Sequence, residues 1–204
     1  MLRRPSILTT LTNPPVLIGE KVKLRPKCLQ DAANDYTWRQ DAELCRLDAA
    51  PHILCSSEEF FKNYVEELYR PSRSYRFAIE AADGSHIGNC SYFNIDETKK
   101  EAEMGIMIGD RAYWNRGYGA DTIFTSLNYI FSKTNLKRIH LKTLNWNIRA
   151  QKCFQKCGFI PCGQMTHGDY TFMLMEIHCP AKRKNGTENL SRHHPNGQKQ
   201  VSGR

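Results

Sequence analysis

Apolar and polar residues recur along the chain with two different periods, and this pattern divides it into predicted helices and strands. Val22–Arg25 alternates apolar and charged residues, which predicts a short strand ending at Pro26. The next apolar residues recur at helical spacing and predict a first amphipathic helix, with Asp31 near its N-terminal end. They are Leu29, Ala32, Ala33 and Tyr36.

A second helix is predicted after the irregular stretch around Pro51. Ser56 and Glu59 have the spacing of a capping box, in which the serine oxygen accepts from the helix backbone and the glutamate reaches back. We expect Pro71 to stop this helix, because proline cannot continue it. Its predicted buried stripe consists of Phe60, Phe61, Tyr64, Val65 and Leu68.

The middle of the chain changes to a period of two and predicts three antiparallel strands. Phe77–Glu80 and His86–Phe93 flank the pair Asp83-Gly84, which accepts the positive φ that tight hairpin turns require. A polar turn then leads into a third strand, Ala102–Ile108. These strands bring the chain to a segment with two glycines.

That segment, Trp114–Asp121, is called the glycine loop below. A helix pattern follows it to about Ser132, and then comes a strand, Arg138–Thr143. Strand, helix and strand in this order form a β-α-β unit, which implies a parallel strand pair. Glycines permit positive φ and close approach of a ligand, and the first N–H groups of a helix point outward, so the loop suits a phosphate or pyrophosphate. A simple turn before a core helix would use the same glycines.

A last helix is predicted to open after Asn147 and to end at Gly158. Short strands at Phe159–Ile160 and Thr171–Ile177 follow it, divided by a loop. The apolar periodicity is lost from Cys179 onward. A tail without regular structure is therefore expected.

Composition indicates one globular domain with unstructured ends. The chain has 204 residues, of which 40% are hydrophobic and 25% are charged. We expect a disordered lead-in over residues 1–15, a folded domain over 16–178 and a disordered basic tail over 179–204. No window approaches the run of about 18 apolar residues that a membrane span needs, and no secretory signal is visible. A cytoplasmic protein without a membrane partner is expected.

The charge of the chain is concentrated at its ends. The formal net charge is +8, but the tail beyond His178 carries six basic residues against the single acid Glu188, and Arg3 with Arg4 add two more positive charges. The body is therefore nearly neutral and offers no basic face to nucleic acid, although the tails could add affinity for RNA or an acidic partner.

The eight cysteines do not predict a disulfide framework. None forms a C-x-x-C pair, and most lie within apolar patterns, so we expect reduced, largely buried thiols. Cys153 and Cys157 share one helix face, but partners at metal-ligand spacing are missing. No metal site is expected.

Two motifs, in this order, resemble the GNAT superfamily of N-acetyltransferases, and within it the branch of the bacterial ribosomal-protein N-terminal acetyltransferases. The first motif, Q/R-x-x-G-x-G/A, matches Trp114–Gly119, with tryptophan in place of glutamine or arginine. The second, approximately N-x-x-A-x-x-L/C-Y/F-x-K-x-G-F, matches Asn147–Phe159. The resemblance covers roughly residues 16–178. It implies a mixed α/β (α+β) fold with a mostly antiparallel sheet, a central splayed parallel strand pair and flanking helices.

The resemblance also implies acetyl-CoA as co-substrate and a primary amine as acceptor, with direct transfer in a ternary complex. It places the CoA pyrophosphate on the loop amides, the pantetheine on the strand before the loop, and two further side chains near the thiol. These residues are, in that order, Gly117, Tyr118, Gly119 and Ala120 with the side chain of Arg116; Ile106, Met107 and Ile108; and Asn147 and Phe154.

Acetyl transfer needs a neutral amine, since α-amino groups have a pKa near ~8 and lysine side chains near ~10.4. Glu103 corresponds to a position where the family often carries a catalytic glutamate, although it could equally be an ordinary strand residue, as Glu101 could be. Many members protonate the leaving thiolate with a tyrosine where this chain has Phe154. Tyr170 or a water could substitute, or no acid is needed. The free amide near Ile106 is the candidate donor to the oxyanion.

The identity of the acceptor is open at this stage. A protein N-terminus and a small-molecule amine both fit the resemblance, and the protein could be a monomer or a homodimer. A catalytically weak relative that binds RNA or a ribosomal partner through its basic tails is the alternative, motivated by the missing tyrosine at Phe154. An acyltransferase for longer acyl chains is a third possibility.

Overall fold

The computed structural model describes residues 14–70 and 72–180. Most of the predicted lead-in, the helix stop at Pro71 and the basic tail from residue 181 lie outside the described residues. The boundaries of the folded domain at residues 16 and 178 stay predictions.

In the described part of the chain, eight strands form a single sheet in the order β1-β2-β3-β4-β5-β6-β8-β7, and five α-helices flank it. The strands are β1 (Leu17–Ile18), β2 (Val22–Pro26), β3 (Tyr75–Ala81), β4 (His86–Asp96), β5 (Glu101–Ile108), β6 (Arg138–Leu144), β7 (Ile160–His167) and β8 (Tyr170–His178). The helices are α1 (Ala32–Arg39), α2 (Ala42–Leu47), α3 (Ser57–Tyr69), α4 (Tyr118–Lys133) and α5 (Ile148–Lys156). Short 3-10 turns at Leu29–Asp31 and Arg111–Tyr113 precede α1 and the glycine loop.

All neighbouring strands are antiparallel except β5 and β6, which confirms the predicted fold class. The parallel pairing is short, because it ends where Glu103 lies opposite His140. Beyond that point β5 continues to Ile108 against β4 alone, while β6 stays paired with β8 as far as Leu144. The two central strands therefore separate, and the C-terminal half of β5 borders a gap.

The two faces of the sheet carry different helices. Cys90 and Asn89 are neighbours on β4 and point to opposite faces. Cys90 contacts Ser126 of α4 at 3.5 Å, whereas the Asn89 amide donates to Asp35 of α1 at 2.7 Å. Helix α4 therefore covers one face and α1 the other. The α4 face holds the main core, in which fully buried aliphatic side chains each contribute roughly 1.5–3 kcal/mol of transfer free energy.

Local signals in the sequence account for most element boundaries. Ser56 is the N-cap of α3, and its hydroxyl oxygen accepts from the Glu59 amide at 3.2 Å, as half of the predicted capping box requires. Gly84 has φ +85° in the hairpin turn, and Gly158 has φ +94° just after α5. Both glycines therefore hold backbone conformations that other residues adopt only with strain.

Four features differ from the expectations. Strand β1 was not predicted, because its two residues are too few to show an alternation. Helix α2 was not predicted, because its six residues are too few to show a period; Asp41 caps it by accepting from the Leu44 amide at 3.0 Å. The prediction of a buried stripe on α3 is wrong, since none of its residues is buried and Val65 is 37% exposed. Strand β7 is longer than expected, because its exposed residues lack an apolar alternation.

Candidate functional site

The glycine loop forms a cradle at the N-terminus of α4. Gly117 is the N-cap residue with φ +88°, and Asn115 also has a positive φ of 58°. The amide of Asp121 donates to the Gly117 carbonyl at 3.0 Å and begins the helical ladder. The amides of Tyr118, Gly119 and Ala120 precede that bond and have no acceptor within the helix, which is the arrangement that binds anions at helix N-termini.

An acidic residue in the first turn of α4 does not oppose this use. Asp121 is 4% exposed, and its Oδ2 accepts from the amides of Lys21 at 2.7 Å and Val22 at 3.1 Å. The carboxylate therefore binds the start of β2 and not a ligand. Gly19 makes this approach possible, since a Cβ at that residue would lie 2.5 Å from the same oxygen.

A cavity of about 350 Å³ lies beside the glycine loop and is called the loop cavity. It brings together nine of the ten residues that the resemblance assigns to acetyl-CoA: Ile106, Met107, Ile108, Gly117, Tyr118, Gly119, Ala120, Asn147 and Phe154. Arg116 is not among the lining residues, because its guanidinium points away and donates to the Ala112 carbonyl at 3.1 Å. Its role at the pyrophosphate stays a prediction.

Basic side chains that the sequence reasoning missed line the loop cavity instead. Arg149, Lys152 and Lys156 come from one face of α5, at spacings of three and four residues. Lys21 approaches from the bend before β2, and its Cε lies 3.5 Å from the Cβ position at Gly117. Backbone amides and several cations around one cavity fit a polyphosphate group.

Trp114, the departure from the first motif, fixes the wall of the loop cavity. Its indole N–H donates to the Ile108 carbonyl at 2.6 Å, at the end of β5. The guanidinium of Arg149 lies 3.6 Å from the ring centroid and that of Arg111 5.4 Å. Tryptophan therefore connects β5, the loop and α5 through one bond and two cation–π contacts.

Helix α2 closes the loop cavity from the other side. Leu44 and Leu47 line the cavity. The helix is tied to the turn before the loop, because Arg111 contacts Asp41 at 2.7 Å and Glu43 at 2.9 Å.

A second cavity of about 520 Å³ lies beside α3, on the α1 face of the sheet, and is called the α3 cavity. Tyr64 and Leu68 of α3 line it, so the half-buried stripe of that helix faces a cleft and not a core. Asp48, Ile106 and Met107 line both cavities. The two clefts therefore meet at the part of β5 that has separated from β6.

Paired charges form the floor of the α3 cavity. Lys27 is ion-paired with Asp35, and the Asn89 amide donates to the same carboxylate. Burial lowers the pKa of Lys27, and Asp35 acts against that shift. Below this pair, Arg25 donates to the fully buried Asp31 at 2.7 and 2.9 Å. Buried charges of this kind are stable only as pairs.

Glu103 lies on the same face of β5 as the α3 cavity, but it lines neither cavity. It is 9% exposed and accepts from the Asn94 amide group at 3.0 Å, and Lys142 is 3.6 Å away. Asn94 has a φ of 51° at a bulge in β4, which turns its side chain toward the carboxylate. The catalytic role of Glu103 stays a prediction.

The two aromatic residues considered for the general acid lie apart. Phe154 is 7% exposed, lines the loop cavity and packs edge-on against Phe159 with ring centroids 5.8 Å apart. Tyr170 begins β8 opposite His167, with its ring 6.3 Å from Phe172, and it lines neither cavity. The structure therefore does not bring Tyr170 together with the other predicted site residues.

Among residues 14–70 and 72–180, no group of three or more His, Cys, Asp or Glu side chains is arranged to hold a metal ion. No helix in the described part of the chain has the length and apolar character needed to cross a membrane. The pair Cys153 and Cys157 is reduced, and Cys157 contacts the Ala120 carbonyl at 3.8 Å.

Comparison with known proteins identifies a family. The profile of the acetyltransferase (GNAT) domain matches residues 21–160. An uncharacterized N-acetyltransferase, p20, of Bacillus licheniformis is 26% identical over 145 residues, which cover 70% of this chain and 81% of that protein. Spermidine N(1)-acetyltransferase of Vibrio cholerae is 28% identical over 114 residues, which cover 53% of this chain and 65% of that protein.

Solved structures share the fold. Spermidine N-acetyltransferase from Vibrio cholerae in complex with CoA and spermine is 21% identical with a TM-score of 0.68, over 78% of this chain and 95% of that one. Aminoglycoside acetyltransferase AAC(6')-Ib in complex with coenzyme A is 17% identical with a TM-score of 0.65, over 77% of this chain and 94% of that one.

Proposed function

This chain belongs to the acetyltransferase (GNAT) family, and we propose that it transfers an acetyl group from acetyl-CoA in the loop cavity to an amine in the α3 cavity. The observation that carries this proposal is the junction of the two cavities at Ile106 and Met107. Direct transfer requires both substrates to meet within bonding distance, and a shared wall on the separated strand β5 provides such a place.

The residues of the loop cavity fit the chemical parts of acetyl-CoA. The amides of Tyr118, Gly119 and Ala120 suit the pyrophosphate, and the cations on α5 suit its charge. The free edge of β5 near Ile106 offers backbone groups to the pantetheine. A neutral cavity without these donors would not select a phosphorylated carrier.

The bound thioester supplies an activated acetyl group with a good leaving group. A backbone N–H near Ile106 would stabilise the negative charge that develops on the carbonyl oxygen. Phe154 cannot donate a proton. The sulfur therefore either leaves as a thiolate, which is an adequate leaving group because the thiol has a pKa of ~8.5, or receives a proton from solvent. We keep Tyr170 as a predicted alternative donor, although it requires movement of the β7–β8 turn.

The charges of the α3 cavity bear on the class of amine. Its walls carry four basic residues and three acidic ones: Lys27, Arg39, Arg70 and Arg76 against Asp35, Asp48 and Glu67. These walls have no excess of acidic groups to bind a polycation, whereas an acceptor with one amine and an uncharged or anionic remainder needs none. We therefore propose a small amine or an α-amino group, not a polyamine, despite the similarity to spermidine acetyltransferases.

The volume of the cavity agrees with a small acceptor, since typical small-molecule sites measure about 300–1,000 Å³. A protein N-terminus could present its first residues to the same cleft, so membership of the ribosomal-protein branch stays a prediction. The alternative of a binding protein depends on the basic tail, which lies outside the described residues, and no contact favours it.

Binding and turnover test this proposal separately. Acetyl-CoA should raise the Tm of the protein, because a ligand of the folded state stabilises it by mass action. Release of free thiol from acetyl-CoA should then be screened with single amines, amino acids, short peptides, polyamines and aminoglycosides. Absence of both a Tm shift and thiol release would refute the proposal, and turnover confined to polyamines would refute its acceptor class.

A further inference from the structure

Among the residues that the structure describes, one ionisable side chain lines both cavities. Of the three residues at the junction, Ile106 and Met107 contribute strand backbone and apolar atoms, and Asp48 contributes a carboxylate. The nitrogen of the acceptor has to reach this junction to attack the thioester. Asp48 is therefore the charged group at the place where the new bond would form.

The fold of α2 sets the position of Asp48. It is the C-cap residue of α2, and its amide donates to the Leu44 carbonyl at 3.0 Å. Contacts at both ends hold that helix: Asp41 pairs with Arg111, and the Arg46 guanidinium lies 4.7 Å from the ring centroid of Trp146. These contacts fix the backbone of Asp48, from which the carboxylate extends toward its ionic neighbour Arg39.

The oxygen atoms of the Asp48 carboxylate are available to a ligand. Within residues 14–70 and 72–180, the Asp48 carboxylate accepts no hydrogen bond, and its ionic neighbour Arg39 is 3.8 Å away. The side chain is 52% exposed, through the mouth of the cleft. Other acids of the site are occupied, since Asp35 is paired with Lys27 and Glu103 accepts from Asn94.

The surroundings also suit a proton acceptor. Partial desolvation by the surrounding groups raises the pKa of Asp48, and Arg39 lowers it to a smaller extent. A carboxylate of raised pKa is a better base at neutral pH than an ordinary one. An acceptor that displaces water from the mouth would increase this desolvation.

From this geometry we infer that Asp48 is the catalytic base, which receives the ammonium group of the acceptor and takes a proton from it. The inference rests on the proposed function. One proton passes from nitrogen to the Asp48 carboxylate, and the neutral amine attacks the thioester carbonyl carbon. A C–N bond forms, the C–S bond breaks, and its electron pair leaves on sulfur. The second nitrogen proton neutralises the thiolate, and Asp48 releases its proton to solvent through the open mouth.

The test uses the full chain and the best acceptor found in the amine screen. Asp48→Asn keeps the size and the cap position but cannot accept a proton. We expect kcat/KM for the amine to fall by about 100-fold or more, while acetyl-CoA still raises the Tm as in the parent protein. The acidic limb of the pH-rate profile, which reports the base in its ionised form, should disappear. Glu66→Gln is the control, because it removes an exposed carboxylate that lines neither cavity and has no part in holding α2.

Several results would overturn the assignment while leaving the proposed function intact. Asp48→Asn could retain the parent kcat/KM, or it could raise only the KM for the amine and keep the pH profile. It could also lose acetyl-CoA binding to the same degree as turnover. A parallel Glu103→Gln variant sharpens the test, since loss of the acidic limb in that variant alone would assign the proton to Glu103. If the parent protein transfers acetyl to no amine, the proposed function fails instead.

Discussion

The backbone conformation of Gly117 allows a quantitative test of the cradle. Gly117 has φ +88°, and a Cβ there would lie 3.5 Å from Lys21 Cε, which is ordinary contact. Gly117→Ala would therefore introduce conformational strain without a clash. Gly84 has nearly the same φ of +85° in the β3–β4 hairpin, with nothing within 4 Å of its Cβ position. Gly84→Ala is thus a control that carries the same strain at a residue that lines neither cavity.

Each substitution should cost about 1–2 kcal/mol of unfolding free energy, which corresponds to a fall in Tm of roughly 2–8 °C for a domain of this size. Only Gly117→Ala should also weaken the binding of acetyl-CoA, because relaxation of φ turns the loop amides away from the pyrophosphate. Losing one hydrogen bond to a charged group costs about 1.5–3 kcal/mol, or roughly 10–150-fold in Kd.

Scanning fluorimetry gives the two Tm values, and titration calorimetry with acetyl-CoA gives the two Kd values. Equal Kd values for the two variants would refute the assignment of the cradle to the pyrophosphate. A Gly117→Ala protein as stable as its parent would refute the strain argument.

Three further predictions concern single side chains. Trp114→Ala should lower the unfolding free energy by about 2–3 kcal/mol in urea titrations, since it removes one hydrogen bond and two cation–π contacts. Trp114→Phe should lower it less, and an equal loss for both variants would contradict a contribution from the cation–π contacts. Desolvation raises the pKa of Asp31, but the hydrogen bonds from Arg25 and from the Cys28 amide, together with the nearby cations, outweigh it and hold the Asp31 pKa below its usual range. Asp31→Asn should therefore lower the unfolding free energy by about 3–5 kcal/mol near neutral pH. This difference from the parent protein should shrink as the pH falls through the lowered pKa, and a difference that does not change with pH down to acid unfolding would contradict the argument. Phe154→Tyr should raise kcat with the Tm retained, because it supplies a proton donor beside the loop cavity, and an unchanged kcat would show that the thiolate leaves unaided.

The parts of the site that could be predicted are those encoded within a few residues. The glycine loop follows from two glycines before an apolar helix, and Asn147 caps α5 by accepting from the Ala150 amide at 3.2 Å, which accounts for the N-x-x-A spacing. The β-α-β unit was predicted from the same local order, and the parallel pairing of β5 and β6 confirms it. These features depend on hydrogen bonds between near neighbours, and a linear sequence displays them.

Long-range packing decided what could not be predicted. The spacing of Arg149, Lys152 and Lys156 on one helix face is visible in the sequence, but which face turns toward the loop depends on how α5 packs. The stripe on α3 has the period of a core helix, yet it borders a cleft. Asp48 lies in a stretch without period, and only the placement of α2 beside β5 brings its carboxylate to the junction.

The bond between Asp121 and the start of β2 makes the cradle a composite of distant parts of the chain. Lys21 and Asp121 are 100 residues apart, and the Asp121 carboxylate accepts from the amides of Lys21 and Val22 at the start of β2. Transplanting the loop and α4 alone onto another strand–helix unit would take both of these donors away from an acid in the first helical turn. The glycine motif is therefore not a portable module, and any graft has to carry Gly19–Val22 with it.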